Sequence, residues 1–191
     1  MLRIRDISLG KEILKLIIGV WLMLVIPGPA HSNEVPAVPD TVKAAFELQD
    51  HDGETVTQES LQGKFVLLAF GFTHCEHICP MMVANMGLAL KLAPQNSVGV
   101  FISVDTERDT AATAHSYASN FHQNMIGLSG SYEQIREAAN NFNVSFVVTK
   151  SHKAYTVEHT SDIFVIGPEG QLIDTFAMTA NPADIAAAMK P

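Results

Sequence analysis

The sequence predicts a mixed α/β domain, and three observations carry that prediction. Apolar runs of strand length alternate with helix-forming stretches from Phe65 to Ala139. An antiparallel pairing and a last helix follow. The only two cysteines, Cys75 and Cys79, fall at the first strand-to-helix turn. Alternation of this kind places helices against the faces of a sheet. A cysteine pair at the first of those turns makes the expected architecture thioredoxin-like, with an extra amino-terminal β-hairpin.

The elements follow in order. Phe46 to Thr57 is two short alternating runs around Asp52-Gly53, a hairpin signal. Phe65 to Phe72 is apolar without alternation, which suits a strand covered on both faces. Pro80 marks the first turn of a helix that stops before Pro94, with Met82, Met86 and Leu90 on its buried side. Val98 to Asp105 is a second apolar strand, and Asp109 is the expected N-cap of a helix ending near Phe121. Met125 to Leu128 is a third strand. Ser131 with Gln134 forms a capping box for the next helix, which ends near Asn140 and Asn141. Val144 to Thr149 and Ile163 to Ile166 are strands on either side of a polar segment, Lys150 to Asp162. Leu172 to Phe176 closes a hairpin after a Gly167–Gly170 turn, and Pro182 starts a short last helix.

Residues 1–32 differ in kind. Arg3, Arg5, Lys11 and Lys15 precede the apolar run Leu16–Ile26, and Pro27 to Ala30 supply helix breakers and small residues. This is the pattern of a secretory signal cut near Ala30 or Ser32, or of an uncleaved amino-terminal membrane anchor. The run falls short of the ~20 residues a spanning helix needs. The expected location is the periplasm or the outer face of the inner membrane. Residues 33–43 read as a flexible lead-in, and 44–191 as the functional domain.

Charge narrows the partners. The chain carries 12 Lys and Arg against 20 Asp and Glu, a formal net charge of −8, with no basic stripe after Lys15. Nucleic acid is therefore excluded as a partner. A membrane is reached only through the amino-terminal segment. Two cysteines are too few for a disulfide-stapled scaffold, so the pair calls for a chemical explanation.

At a helix N-terminus, unpaired N–H groups stabilise a thiolate. Three residues separate Cys75 from Cys79, one more than in a thioredoxin-type redox pair. The wider loop leaves both sulfurs able to face one ligand, and soft thiolates with a nearby imidazole suit copper(I) or zinc. His74 and His77 flank the pair and stand more naturally behind a metal ligand than as one. His159 precedes a core strand, on the loop that faces the first strand-to-helix turn. From the residues alone it is either a third ligand or a histidine capping a strand end. His31, His115 and His122 read as solvated. Met81 and Met82 could offer thioethers, although Met82 has core spacing. Asp105 and Glu107 to Asp109 read as turn and cap residues.

Gly71-Phe-Thr-His-Cys75-Glu-His-Ile-Cys79-Pro80 resembles the signature of the Sco (SenC) family, copper-binding proteins of cytochrome c oxidase assembly. Ser103-Val-Asp105-Thr-Glu-Arg-Asp-Thr110, Gly127-Leu-Ser-Gly130 and Glu158-His159-Thr-Ser match further family segments, so the likeness covers residues 44–176 in unbroken order. The resemblance implies a thioredoxin fold binding copper(I) or copper(II) through Cys75, Cys79 and His159. It implies as partner the copper-site subunit of cytochrome c oxidase or another cuproprotein. Copper loading in an oxidising compartment further calls for a reductant, expected to be thioredoxin-like, to keep the cysteines reduced. Glu76-His77-Ile78 stands where the family usually has Pro-Asp-Val, and Lys150 to Glu158 lacks the acidic character expected of a partner-docking hairpin. The competing expectation is a thiol–disulfide oxidoreductase, with Cys75 attacking and Cys79 resolving. Against it, no proline lies near His159. A structural Cys75–Cys79 disulfide would close too short a loop to stabilise the chain much.

Overall fold

The computed structural model describes residues 43–152 and 154–190. The expected leader or anchor and all of the lead-in but Lys43 lie outside them. Among the described residues, no helix is long and apolar enough to cross a membrane.

The chain enters as the expected hairpin, β1 (Glu47–Gln49) antiparallel to β2 (Thr55–Thr57). Its turn is fixed by Asp50, whose Oδ1 accepts N–H bonds from Asp52 and Glu54, and by Gly53 at φ 81°. Strand β3 (Phe65–Gly71) is buried along its whole length, as a run without alternation requires. Helix α1 (Ile78–Leu92) follows, then β4 (Ser97–Ser103), α2 (Ala111–Ser119), β5 (Met125–Leu128) and α3 (Tyr132–Asn141). Strands β6 (Phe146–Lys150) and β7 (Tyr155–His159) make a separate two-stranded sheet. Strands β8 (Asp162–Ile166) and β9 (Leu172–Ala177) and helix α4 (Pro182–Ala188) complete the chain.

The central sheet has the order β5-β4-β3-β8-β9. β3, β4 and β5 run parallel, and β8 and β9 pair antiparallel beside β3. Side chains alternate across β3. Val66, Leu68 and Phe70 join Leu48, Ile135 and Phe142 in a core under the hairpin and α3. Leu67 and Ala69 join Met82, Met86, Phe101, Ile163 and Ile185 in a second core under α1 and α4. The sheet thus has a covered face on each side, and the C-terminal ends of its parallel strands carry the cysteine turn.

The structure departs from the sequence expectations in four places. Helix α1 begins at Ile78, which puts Cys79 inside its first turn. Thr110, not Asp109, caps α2, its Oγ1 accepting the Thr113 N–H at 3.2 Å. The polar segment after Lys150 contains a strand, β7, paired residue for residue with β6 from Tyr155↔Lys150 to His159↔Phe146. His115, expected in solvent, is partly buried and stacks on His51 with ring centroids 4.0 Å apart.

Candidate metal centre

Gly71 ends β3 where no side chain fits. A Cβ there would lie 2.6 Å from the Phe101 ring and 3.1 Å from Cys79 Sγ. The chain then loops through Phe72 to His77 and enters α1 without a side-chain cap from His77. Cys75 supplies the missing acceptor: the Cys79 N–H donates to Cys75 Sγ at 3.4 Å. A sulfur here takes the place that Ser or Asp usually fills at a helix start, and this lets the helix begin ahead of Pro80.

The two thiols sit in opposite environments. Cys79 is fully buried, and Cys75 is half-exposed. Burial pushes the Cys79 thiol up to about 12, and the nearby Cys75 and Asp109 charges add to the rise. Burial is also the largest single influence on Cys75 and opposes its ionisation. Bonds from the Cys79 N–H and thiol and from the His77 and Ile78 N–H groups together outweigh it, so Cys75 lies below the ordinary thiol value.

His159, the last residue of β7, places Nε2 3.4 Å from Cys79 Sγ. Its Nδ1 lies 2.8 Å from the Thr160 carbonyl, which can only accept, so Nδ1 carries the proton and the Nε2 lone pair faces the sulfur. The ring packs edge-on to Phe72 at 5.9 Å. Burial lowers its pKa, and the bond to Thr160 only partly offsets this, so the neutral imidazole is favoured. Cys79 thus touches both Cys75 and His159. Among the described residues, the one trio of ligand-type side chains with atoms mutually within 4.8 Å is Asp50, His51 and Asp52, in the hairpin turn. The Cys–Cys–His group is more open than that.

The flanking candidates separate. His74 turns toward Asp109, with Nδ1 3.3 Å from Oδ1, and His77 is exposed at the start of α1. Met81 is exposed, while Met82 is buried in the core under α1.

Sequence reasoning read Asp105, Arg108 and Asp109 only as turn and cap residues, and it missed Tyr155. Both aspartates are buried. Asp109 Oδ2 accepts from the Thr73 N–H (2.7 Å) and the Ser103 hydroxyl (2.6 Å), and Oδ1 from the Thr73 hydroxyl (2.5 Å). Asp105 accepts from Arg108 Nε (2.5 Å) and the Tyr155 hydroxyl (2.6 Å). The Arg108 guanidinium lies 3.9 Å from the Tyr155 ring centre. The available signal was two carboxylates one helical turn apart at the end of a buried strand, with Ser103 and Arg108 beside them.

A cleft lined by Phe72, His74, Cys75, His77, Arg108 and Tyr155 opens over Cys75.

Comparison with known proteins bears on this arrangement. The SCO1/SenC family model matches residues 35–191. The chain is 40% identical over 148 residues to Protein SCO1 homolog 1, mitochondrial, of Arabidopsis thaliana, covering 73% of this chain and 44% of that protein. It spans 58% and 45% of two fungal relatives, so it covers about half the length of these three proteins. The crystal structure of Arabidopsis thaliana ScoI with copper bound superposes with TM-score 0.71 at 33% identity, over 76% of this chain and 94% of that one. BsSco, a member of the Sco family of cytochrome c oxidase assembly proteins with a disulfide switch, superposes with TM-score 0.59 at 29% identity, over 80% of this chain and 96% of that one. The architecture is the thioredoxin-like one expected from the sequence.

Proposed function

The chain belongs to the SCO1/SenC family, and from that premise we propose that it is an exported copper metallochaperone. It holds one copper ion between Cys75, Cys79 and His159. It passes that ion to the copper-site subunit of cytochrome c oxidase or to another cuproprotein. Copper is the cargo, and the domain 44–191 is its carrier.

One observation supports this above the others: the neutral, tautomer-fixed His159 presents Nε2 to Cys79 Sγ at 3.4 Å. Two thiolates and one imidazole are a donor set for copper(I). Because Nδ1 is spent on Thr160, the ring is aimed before any metal arrives. Loading displaces the thiol protons, including the one Cys79 otherwise keeps to about pH 12. Cys75, on its half-exposed loop, moves inward to close the set and is the donor a recipient reaches first. The test is anaerobic titration of the reduced protein with copper(I) against a competing chelator. One tight equivalent is expected, weakened about 10- to 100-fold by His159→Ala, by analogy with lost support at metal sites. Binding at wild-type affinity in Cys79→Ser would sink the assignment.

The thiol asymmetry favours a second activity at the same residues. Cys75 thiolate attacks one sulfur of a partner disulfide, forming a mixed disulfide and releasing one partner thiolate. Cys79 then loses its proton and attacks Cys75 Sγ, releasing the second thiolate. The partner gains two electrons and the Cys75–Cys79 pair loses them. A reduced protein that leaves every oxidised copper-site dithiol peptide oxidised would remove this reading and leave copper carriage intact. A thioredoxin-like reductant would restore the thiols.

A further inference from the structure

We infer that the turn from Asp105 to Asp109 positions the whole metal centre: Asp109 sets the cysteine loop and Asp105 sets the histidine hairpin. The inference rests on the copper-carrier reading for its purpose and on the hydrogen-bond geometry for its content.

The turn is itself well fixed. It follows the fully buried strand β4, and the Val104 N–H donates to the Gly71 carbonyl at 2.8 Å, where the cysteine loop leaves β3. The Arg108 and Asp109 N–H groups both donate back to the Asp105 carbonyl, at 3.2 and 2.9 Å. Both carboxylates have no exposed side-chain surface. A carboxylate buried to that degree is costly unless its bonds are made, and here the bonds run in two directions.

One arm reaches the sulfurs. Asp109 holds Thr73 by backbone and hydroxyl together, two positions before Cys75. Cys75 itself is held by longer bonds, its N–H to the Phe72 carbonyl and its Sγ from the Cys79 N–H, both at 3.4 Å, so the short bonds that anchor the loop are those at Thr73. The other arm reaches the imidazole. Tyr155 opens β7 and His159 closes it, so fixing Tyr155 fixes the strand that carries the ring. Asp105 takes the Tyr155 hydroxyl, Arg108 covers the ring, and Glu107 pairs with Lys150 on β6. The sheet of β6 and β7 has no ladder with the central sheet. Besides the packing of Phe146 and Val157 on the core under the hairpin and α3, side chains of this one turn latch the histidine hairpin to the sheet that holds the cysteines. Neither aspartate forms a hydrogen bond with Cys75, Cys79 or His159, although the Asp109 charge is felt at Cys79; both act as positioning residues.

Three conservative variants of the intact reduced protein separate this role from plain stabilisation. Tyr155→Phe removes the hydroxyl that reaches Asp105. Thr73→Val removes the hydroxyl that reaches Asp109. Ser131→Ala removes the capping hydroxyl that takes the Gln134 N–H at the start of α3, away from both donor loops and from the turn. Tyr155→Phe is expected to weaken copper(I) about tenfold and to shift the His159 imidazole resonances of the metal-free protein. Its effect on affinity should vanish in a His159→Ala background. Thr73→Val is expected to move the pH profile of Cys75 alkylation, and Thr73→Ser to restore it. Ser131→Ala should lower Tm and move none of these. The inference is overturned if Ser131→Ala shifts affinity as much as Tyr155→Phe, or if Tyr155→Phe leaves the imidazole unmoved. A wild-type protein that takes no copper would overturn the carrier reading instead, and the imidazole and alkylation measurements would still decide this one.

Discussion

Cys75 and Cys79 are the same residue type four positions apart, yet the fold gives them opposite acidities. The difference comes from one turn of helix: Cys75 faces the open N–H groups, and Cys79 faces the core. The thiolate is the nucleophile, so alkylation follows pH through each folded pKa. In the reduced, metal-free protein, Cys75 is expected to reach half-maximal reactivity below pH 9.0. Cys79 should stay inert until about pH 12. Mass-spectrometric alkylation kinetics distinguish the sites, and equal reactivity would refute the assignment. The sequence nominated Cys75 and Cys79 as soft donors by residue type and spacing, and it left His159 open between ligand and strand cap until the family resemblance pointed to it. It did not show which way His74 turns. That depends on Asp109, whose carboxylate looked like a helix cap and is instead bound to Thr73 and Ser103.

Elements that depend on apolar pattern were legible; those that depend on side-chain pairing were not. β3, β4 and α1 announced themselves by unbroken or four-spaced apolar residues. β7 reads as polar because Thr156 and Glu158 alternate with Tyr155, Val157 and His159, and its partner strand is itself partly exposed. The period of two was present, but without an apolar face to draw attention to it. Gly127 shows the same limit. Its place in β5 was clear, but not the packing of α2 directly on its Cα, where a Cβ would lie 2.1 Å from the Ala114 carbonyl carbon. Gly127→Ala is therefore expected to cost about 3 kcal/mol by overpacking, read as a lower midpoint in urea with an unchanged slope. An unchanged midpoint would mean that α2 does not seat on this strand in solution.

At the scale of the whole molecule, net charge depends on the fate of the amino-terminal segment. Residues 1–30 hold four basic and two acidic groups, so their removal takes the formal charge from −8 to −10. It also removes Trp21, the only tryptophan. A form cut near Ala30 or Ser32 is expected to show no tryptophan emission. Emission retained in a membrane fraction would identify an uncleaved anchor instead. The domain's sheet order could not be read from the sequence, since nothing local says that β8 lies beside β3. That adjacency has a kinetic consequence. Cys75 and Cys79 come together within one turn, but His159 meets Cys79 across 80 positions of chain. Closing so long a loop waits on the sheet that rewards it. A chain still being synthesised or threaded across a membrane carries both sulfurs well before it carries an imidazole beside them. Full affinity for the ion would then mark the finished fold, and a half-made chain could not hold copper with the same grip.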